Sequence, residues 1–207
     1  MTTVYLMRHS EPFKVHRGIE IVNEDILFSN IKTPLSIKGE KIAEEKSNNI
    51  EFDNIDVVWS SNYVRAMSTA KYFASKNNIK VNISDKLGER KHGIKSWDEL
   101  PENFERLQFE NENYKTGDGE SKQEVQERIY NELMRIIKEN NNKRILIVGH
   151  STATAFLLGK WCEISYDGEY KYKDESFFDG KWDYLETFKL KFDDNYNLIN
   201  IKNLGGV

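Results

Sequence analysis

Short, nearly continuous apolar runs recur along the chain, and each of them ends in polar residues. Three lie at residues 3–7, 55–59 and 144–148, and a weaker fourth lies at residues 79–83. Runs of this length are typical of strands that are buried on both faces of a parallel sheet. Near the C-terminus, residues 185–192 and 198–203 flank a polar turn, and this pattern predicts a β-hairpin.

In the segments between these runs, apolar residues recur at the spacing of an α-helix. This spacing predicts helices over residues 36–50, 63–75 and 121–139, and a last helix that runs from Ser151 to Leu158. Ser121 is a suitable N-cap, and Glu124 three residues later completes a capping box. The positions that should face the core are Ile37, Ile42 and Ala43 in the first helix, Ala66, Ala70 and Phe73 in the second, and Val125, Ile129, Leu133, Ile136 and Ile137 in the third.

The order of these elements predicts the fold class. Strands that alternate with helices favour an α/β fold, here a three-layer α/β/α sandwich around a mainly parallel sheet, with a C-terminal β-hairpin. The chain has 207 residues, and no stretch rich in proline, glycine and serine divides it. A single domain over residues 1–207 is therefore expected.

Composition narrows the classes of function. The net charge is −4 with both signs mixed along the chain, so we expect neither a nucleic-acid partner nor a membrane partner. An anionic substrate would need a local cluster of cations. Cys162 is the only cysteine, which excludes an internal disulfide and a thiolate metal site. No apolar run approaches the roughly 20 residues that span a bilayer, and no secretory signal is evident, so a cytoplasmic protein is expected.

Candidate chemistry lies where the predicted strands end. One strand ends at Arg8 and His9, a second ends at two serines shortly before Arg65, and a third ends at His150. In open α/β sheets, ligands bind outside the carboxyl ends of the strands, so these side chains should converge. The planar guanidinium of arginine matches phosphate oxygens in a bidentate way. The pattern therefore indicates a phosphate-binding site that contains two histidines.

An ordered set of motifs resembles the histidine phosphatases of the phosphoglycerate-mutase-like superfamily. Each motif is weak alone, but the set follows the family's order from residue 3 to about residue 158. The matching stretches are Leu6-Met7-Arg8-His9-Ser10-Glu11, Pro34-Leu35-Ser36-Ile37-Lys38-Gly39 with Ala43, Ser60-Ser61-Asn62-Tyr63-Val64-Arg65-Ala66, Leu87-Gly88-Glu89-Arg90-Lys91-His92-Gly93, Gly119-Glu120-Ser121 with Arg128, and Val148-Gly149-His150-Ser151.

The resemblance implies a catalytic set of five residues. His9 would attack phosphorus and carry the phosphoryl group, with its tautomer set by a hydrogen bond from the other ring nitrogen to the backbone after the strand. Arg8, Arg65 and His150 would surround the phosphate oxygens. Glu89 would protonate the leaving oxygen and later activate water. No metal and no cofactor are expected, because the arginines and His150 supply the positive charge.

Further substrate contacts are predicted at Ser10, Ser151 and Arg90. Ser10 stands where the family usually has glycine. The Glu89-Arg90 pair followed by Gly93 resembles the mutase form of the acid loop, so Arg90 is expected to bind a second anionic group. One difference argues against a mutase. Mutases carry an asparagine at the position of Val15, which lies next to His16 and Arg17 in this chain. Glu11 is the alternative carboxylate if Glu89 is not the acid.

The expected function is hydrolysis of a phosphorylated small molecule. Phosphoglycerate-mutase-type transfer is the first alternative, and a catalytically silent phosphate-binding regulatory module is the second. Residues 166–184 are rich in aromatic side chains. They are interpreted as a packed surface loop, with an aromatic lid or a homodimer contact as the alternatives. His16 and His92 lie in polar stretches and are expected to be solvated.

Overall fold

A six-stranded sheet forms the centre of the protein in the computed structural model, which describes residues 1–14, 26–166 and 168–207. Four neighbouring strands are parallel, and the last two, which pair antiparallel, extend one edge as the C-terminal hairpin. In sheet order the strands are β3 (Val81–Ser84), β2 (Val57–Ser61), β4 (Arg144–Gly149), β1 (Thr2–Arg8), β8 (Thr187–Phe192) and β9 (Leu198–Asn203). The predicted α/β class and hairpin are confirmed.

Helices cover both faces of this sheet. Six α-helices lie within the described residues: α1 (Ile26–Lys32), α2 (Ile37–Ser47), α3 (Val64–Lys76), α4 (Phe104–Glu110), α5 (Lys122–Glu139) and α6 (Ser151–Leu158). Both hydrogen bonds of the capping box between Ser121 and Glu124 are present at the start of α5. The Ser36 side chain caps α2 by accepting from the backbone N–H of Gly39 at 2.9 Å.

The core has two halves, because successive residues of a strand point to opposite faces. Val4 and Leu6 of β1 belong to the half that α5 and α6 cover. Tyr5 and Met7 belong to the other half, which also contains Ala43 of α2 and residues of α3. The predicted core positions of the helices at 63–75 and 121–139 are all buried. The middle strands are therefore buried on both faces, as their unbroken apolar runs predict.

Several local predictions need correction. Ile37 was expected to face the core, but it is 92% exposed. The buried positions of α2 are Gly39, Ala43 and Ser47, and Ile37 lies on the other side of the helix. This helix ends at Ser47 and not at Ile50. The second strand starts two residues later than its apolar run does, at Val57.

The aromatic segment forms a small antiparallel sheet and not a loop. The segment contributes β6 (Tyr170–Tyr172) and β7 (Glu175–Phe178), and the third strand, β5 (Glu163–Ile164), precedes it. Tyr170 and Phe178 are buried in the half of the core below α5 and α6. The lid and the homodimer contact stay predictions. Among the helices of the described residues, none is long and apolar enough to cross a membrane.

Candidate active site

His9 follows β1 and is almost fully buried. Its backbone N–H donates to the carbonyl oxygen of Gly149 at 3.0 Å, which ties the end of β1 to the end of β4. Nδ1 of His9 lies 2.7 Å from the Ser10 carbonyl oxygen, and Arg65 Nε donates to Nε2 at 2.9 Å. A carbonyl oxygen can only accept, so Nδ1 carries the proton and Nε2 offers its lone pair.

Ser10 holds the turn that follows His9. Its hydroxyl donates to the carbonyl oxygen of Gly39 at 2.6 Å, and its backbone N–H donates to Thr69 Oγ1 at 3.0 Å. A Cβ atom on Gly39 would lie 2.0 Å from the backbone oxygen of Glu11, so only glycine allows this close approach. The Ser10 hydroxyl is therefore committed to the backbone, and its predicted substrate contact stays a prediction.

His150 ends β4 and lies beside His9, with 5.2 Å between the two ring centroids. Its Nε2 is 2.8 Å from Ser61 Oγ, and its Nδ1 is 3.4 Å from Nη2 of Arg65. The Tyr63 ring packs edge-on against the imidazole, 4.5 Å between centroids. The ends of β1, β2 and β4 thus bring His9, Ser61 and His150 together, as the strand-end pattern predicts.

Two arginines flank the histidines, and both are held by backbone carbonyls. Arg8 Nη1 donates to the carbonyl oxygen of Trp182 at 2.6 Å, and its guanidinium lies over the Tyr184 ring. Arg65 Nη1 donates to the carbonyl oxygen of Asn30 at 2.5 Å. Each guanidinium is therefore oriented by contacts from a distant part of the chain. Less conformational entropy is then lost when it binds a phosphate.

Burial and these cations set the protonation of the histidines. Burial, aided by the charge of Arg65, lowers the pKa of His9 to about 3, although the Ser10 carbonyl acts in the opposite direction. Burial and the charges around it also lower the pKa of His150 far below its ordinary value. Burial lowers the pKa of Arg8 and of Arg65, and the negative charge of Glu89 opposes that shift in both. Both imidazoles are thus neutral at neutral pH.

Glu89 lies at the N-terminus of α6. Its Oε1 accepts from the backbone N–H groups of Arg90 and Ala153 at 2.9 and 2.8 Å, and its Oε2 accepts from that of Thr152 at 3.3 Å. These bonds hold the carboxylate next to the residues that follow His150. Its negative charge raises the pKa of both Arg8 and Arg65, against the effect of burial.

Glu11, the alternative acid, has different surroundings. Its carboxylate accepts from the Ser36 hydroxyl at 2.8 Å and pairs with Lys38 at 3.4 Å. Both partners belong to the start of α2, so Glu11 anchors that helix. Glu11 is thus held by the start of α2, whereas Glu89 is held by the start of α6, directly after His150.

The guanidinium of Arg90 already forms hydrogen bonds with other side chains of the protein. Its guanidinium makes a bidentate contact with Glu105 at 2.9 and 2.6 Å and donates to Gln108 at 2.7 Å. It is 3% exposed and lies over the Phe104 ring. The substrate contact that was expected for Arg90 stays a prediction, and it would compete with Glu105.

His92 is not solvated, contrary to expectation. It is partly buried between the rings of Trp97 and Phe104, and its Nε2 lies 3.0 Å from Arg90 Nη2. Burial and the charge of Arg90 lower its pKa to about 4. Val15, His16 and Arg17, which the sequence analysis also interprets, lie outside the described residues.

Ser151 is the first residue of α6 and lines a cavity beside the site.

The sequence alone does not indicate the roles of Tyr63, Trp182 or Tyr184. Tyr63 could have been found from its place between Ser61 and Arg65. The other two belong to the aromatic segment, for which a lid is one prediction, but nothing in the local sequence links them to Arg8. Within the described residues, no group of three or more His, Cys, Asp or Glu side chains could hold a metal ion.

Several known proteins are similar to this chain in sequence or in fold. The chain is 26% identical over 162 residues to phosphoserine phosphatase 1 of Hydrogenobacter thermophilus, covering 73% of this chain and 72% of that protein. It is 28% identical over 166 residues to a probable phosphoglycerate mutase of Salmonella arizonae, covering 76% and 74%. The crystal structure of a phosphoserine phosphatase mutant from Entamoeba histolytica, in complex with phosphoserine, has the same fold, with a TM-score of 0.64, 19% identity and coverage of 98% and 97%.

The family assignment rests on a longer match. Residues 4–174 match the family described as the histidine phosphatase superfamily, branch 1. This range includes the ends of β1, β2 and β4 and the start of α6, which carry the residues of the site. The chain belongs to the histidine phosphatase superfamily.

Proposed function

We propose that this protein is a phosphatase that hydrolyses phosphomonoesters through a phosphohistidine on His9, with Glu89 as the proton donor. The observation that carries the proposal is the tautomer of His9. Its Nδ1 proton is held by the Ser10 carbonyl, and its Nε2 lone pair faces Arg65, with the His150 ring nearby. A buried imidazole that stays neutral next to two fixed cations suits a nucleophile for a phosphate group.

In the first step, Nε2 of His9 attacks phosphorus and the bond between phosphorus and the ester oxygen breaks. Glu89 donates a proton to the departing oxygen, so the alcohol leaves neutral. Arg8 and Arg65 stabilise the charge on the other phosphate oxygens. His150 lies beside His9, and its ring is held by Ser61 at Nε2 and by Arg65 at Nδ1.

The second step returns the protein to its starting state. Water attacks the phosphorus of phospho-His9, and the Glu89 carboxylate takes a proton from that water. The bond between nitrogen and phosphorus breaks, inorganic phosphate leaves, and His9 is neutral again. No step uses a metal ion, because the positive charge comes from the two arginines.

The family and the relatives support phosphatase chemistry in general terms. The relative from Hydrogenobacter thermophilus is named a phosphoserine phosphatase, whereas that from Salmonella arizonae is named a probable phosphoglycerate mutase. A mutase needs a site for the second anionic group of its substrate. Arg90, the predicted residue for that task, is paired with Glu105, and this favours hydrolysis over transfer.

The decisive experiment uses radiolabelled phosphoester and a quench in alkali, in which phosphohistidine is stable. Wild-type protein should retain label, and His9→Ala should retain none and should lose turnover. His92→Ala is the matched control, since it removes a histidine outside the cluster, and it should still be labelled. Full turnover by His9→Ala would refute the mechanism.

The alternatives give different results in the same preparation. A mutase would convert 3-phosphoglycerate into 2-phosphoglycerate, in the presence of 2,3-bisphosphoglycerate, faster than it releases inorganic phosphate. A silent regulatory module would bind phosphate or vanadate but show neither label nor turnover.

A further inference from the structure

A cavity of about 280 Å³ lies beside the candidate active site and is lined mainly by apolar side chains. Its volume is close to the lower end of the range for small-molecule pockets, about 300 Å³. The apolar lining comes from α4, α6, the small sheet and the segment that follows it. It includes Phe109, Ala155, Phe156, Ile164, Tyr170 and Trp182.

The cavity shares residues with the site on two sides. Trp182 lines the cavity, and its carbonyl oxygen accepts from Arg8 at 2.6 Å. Thr152 also lines it, and its backbone N–H donates to Glu89. Thr152 and Trp182 therefore lie at the border between the cavity and the residues of the site.

The apolar lining is fixed by packing. The Trp182 ring makes edge-on contacts with Phe178 and Phe188, each 5.3 Å between centroids, and Tyr170 is buried. Ala155 and Phe156 pack against the same half of the core with their inner surfaces. A preformed apolar pocket gains affinity for an apolar group because little has to be ordered when that group binds.

The charged residues of the lining are already paired. Glu105 is held by Arg90 in a bidentate contact, and Lys122 pairs with Glu112 at 3.4 Å. The ammonium of Lys122 also lies over the Phe109 ring. A carboxylate that entered this cavity would lose part of its hydration and would have to compete with Glu112 for Lys122. An uncharged aromatic group meets no such cost.

We propose that this cavity binds the alcohol portion of the substrate, and that the protein prefers phosphomonoesters of alcohols that carry an aromatic ring. This inference rests on the proposed function and narrows its substrate class. It distinguishes the protein from enzymes that act on phosphoserine or phosphoglycerate, whose alcohols carry a charge. Ala155 and Phe109 are then residues that determine specificity.

The test compares 2-phenylethyl phosphate with ethyl phosphate, whose leaving oxygens are similar and whose alcohols differ by one aromatic ring. Burial of the ring should raise kcat/KM by at least about tenfold over ethyl phosphate. Phosphoserine should be a worse substrate than 2-phenylethyl phosphate. Equal kcat/KM values for the two uncharged esters, or a preference for phosphoserine, would overturn the inference and leave the proposed function intact.

Ala155→Leu should fill part of the cavity and bring the ratio of the two kcat/KM values close to one. Ser75→Leu is the matched control, since Ser75 is an exposed residue near the end of α3 and should keep the wild-type ratio. If Ala155→Leu fails to fold, Phe109→Ala removes one wall and should also lower the ratio. An unchanged ratio in every folded cavity variant would overturn the assignment.

A binding measurement separates this inference from the chemistry. Calorimetric titration with 2-phenylethanol should detect binding to wild-type protein and to His9→Ala, and weaker binding to Ala155→Leu. If no ester is hydrolysed but 2-phenylethanol binds in this pattern, the proposed function fails and the cavity assignment stands. Absence of binding to wild-type protein, together with equal hydrolysis of both esters, would show that the cavity takes no aromatic group.

Discussion

The hydroxyl oxygen of Ser61 lies 2.8 Å from Nε2 of His150 at the end of β2, where both side chains are buried. The backbone N–H of Tyr63 also approaches this hydroxyl, at 3.4 Å. The bond joins the ends of two parallel strands, and it holds the imidazole so that Nδ1 faces Arg65 and His9. Ser61 is therefore a positioning residue for His150.

Ser61→Ala should slow phosphorylation of His9 by about tenfold, since it removes one hydrogen bond worth about 1 to 1.5 kcal/mol that orients His150. Ser61→Thr keeps a hydroxyl and should recover most of the rate. The measurement is the single-turnover rate of phosphoenzyme formation, with thermal unfolding of each variant as the control for folding. Equal rates in the Ala and Thr variants would exclude a positioning role for the hydroxyl.

Glu89→Gln should affect substrates according to how strongly their leaving group needs a proton. An alkoxide is a far stronger base than nitrophenolate, so the phosphorylation rate should fall much more for ethyl phosphate than for p-nitrophenyl phosphate. Single-turnover measurements isolate this step from the later attack of water. Glu11→Gln is the control, and it should alter neither rate by more than a small factor. Equal losses for the two esters in Glu89→Gln would show that Glu89 is not the acid.

Removal of metal ions should leave the activity intact. Arg8 and Arg65 lie beside His9 and supply the charge that a divalent ion provides in metal-dependent phosphatases. Turnover of p-nitrophenyl phosphate should be the same with and without EDTA, and vanadate should inhibit both reactions. Loss of turnover in EDTA that magnesium or zinc restores would contradict this prediction.

Acid should destabilise the protein partly through His9. Its pKa is lowered to about 3 in the folded state, whereas an unfolded histidine has a pKa of about 6.5. Between these values the unfolded chain binds a proton that the folded protein does not, so stability falls as pH drops below about 6.5. From pH 7.5 to pH 5, this group should cost about 2 kcal/mol of unfolding free energy.

The variant His9→Asn isolates this contribution, since asparagine does not titrate in the range. Urea unfolding of both proteins at the two pH values gives the comparison. The loss on acidification should be smaller in His9→Asn by about 2 kcal/mol. The same loss in both proteins would mean that His9 is not kept neutral by its surroundings.

Local patterns in the sequence predict most of the regular elements of the fold and the edge of the sheet at which the candidate site lies. The apolar runs, the helical periods of α3 and α5 and the Ser121 capping box are local patterns, and each predicts its element without knowledge of the rest of the chain. The convergence of His9, Arg65 and His150 can be predicted without knowing the order of the strands, because the carboxyl ends of parallel strands lie at the same edge of the sheet. Short elements such as α1 and α4 escaped prediction, since seven residues are too few for a period to be recognised.

The surroundings of these side chains depend on contacts between distant segments, which the local sequence does not show. Arg90 lies next to Glu89 in a motif that suggests a substrate contact, but Glu105, 15 residues further on, binds its guanidinium. Trp182 supplies a carbonyl to Arg8 across 174 residues and lines the cavity as well. Such contacts depend on how α4 and the small sheet pack against the core, and packing between distant segments leaves no period or motif in the local sequence. That packing decides whether a charge is free to bind a substrate or is already paired, and so decides which substrate fits.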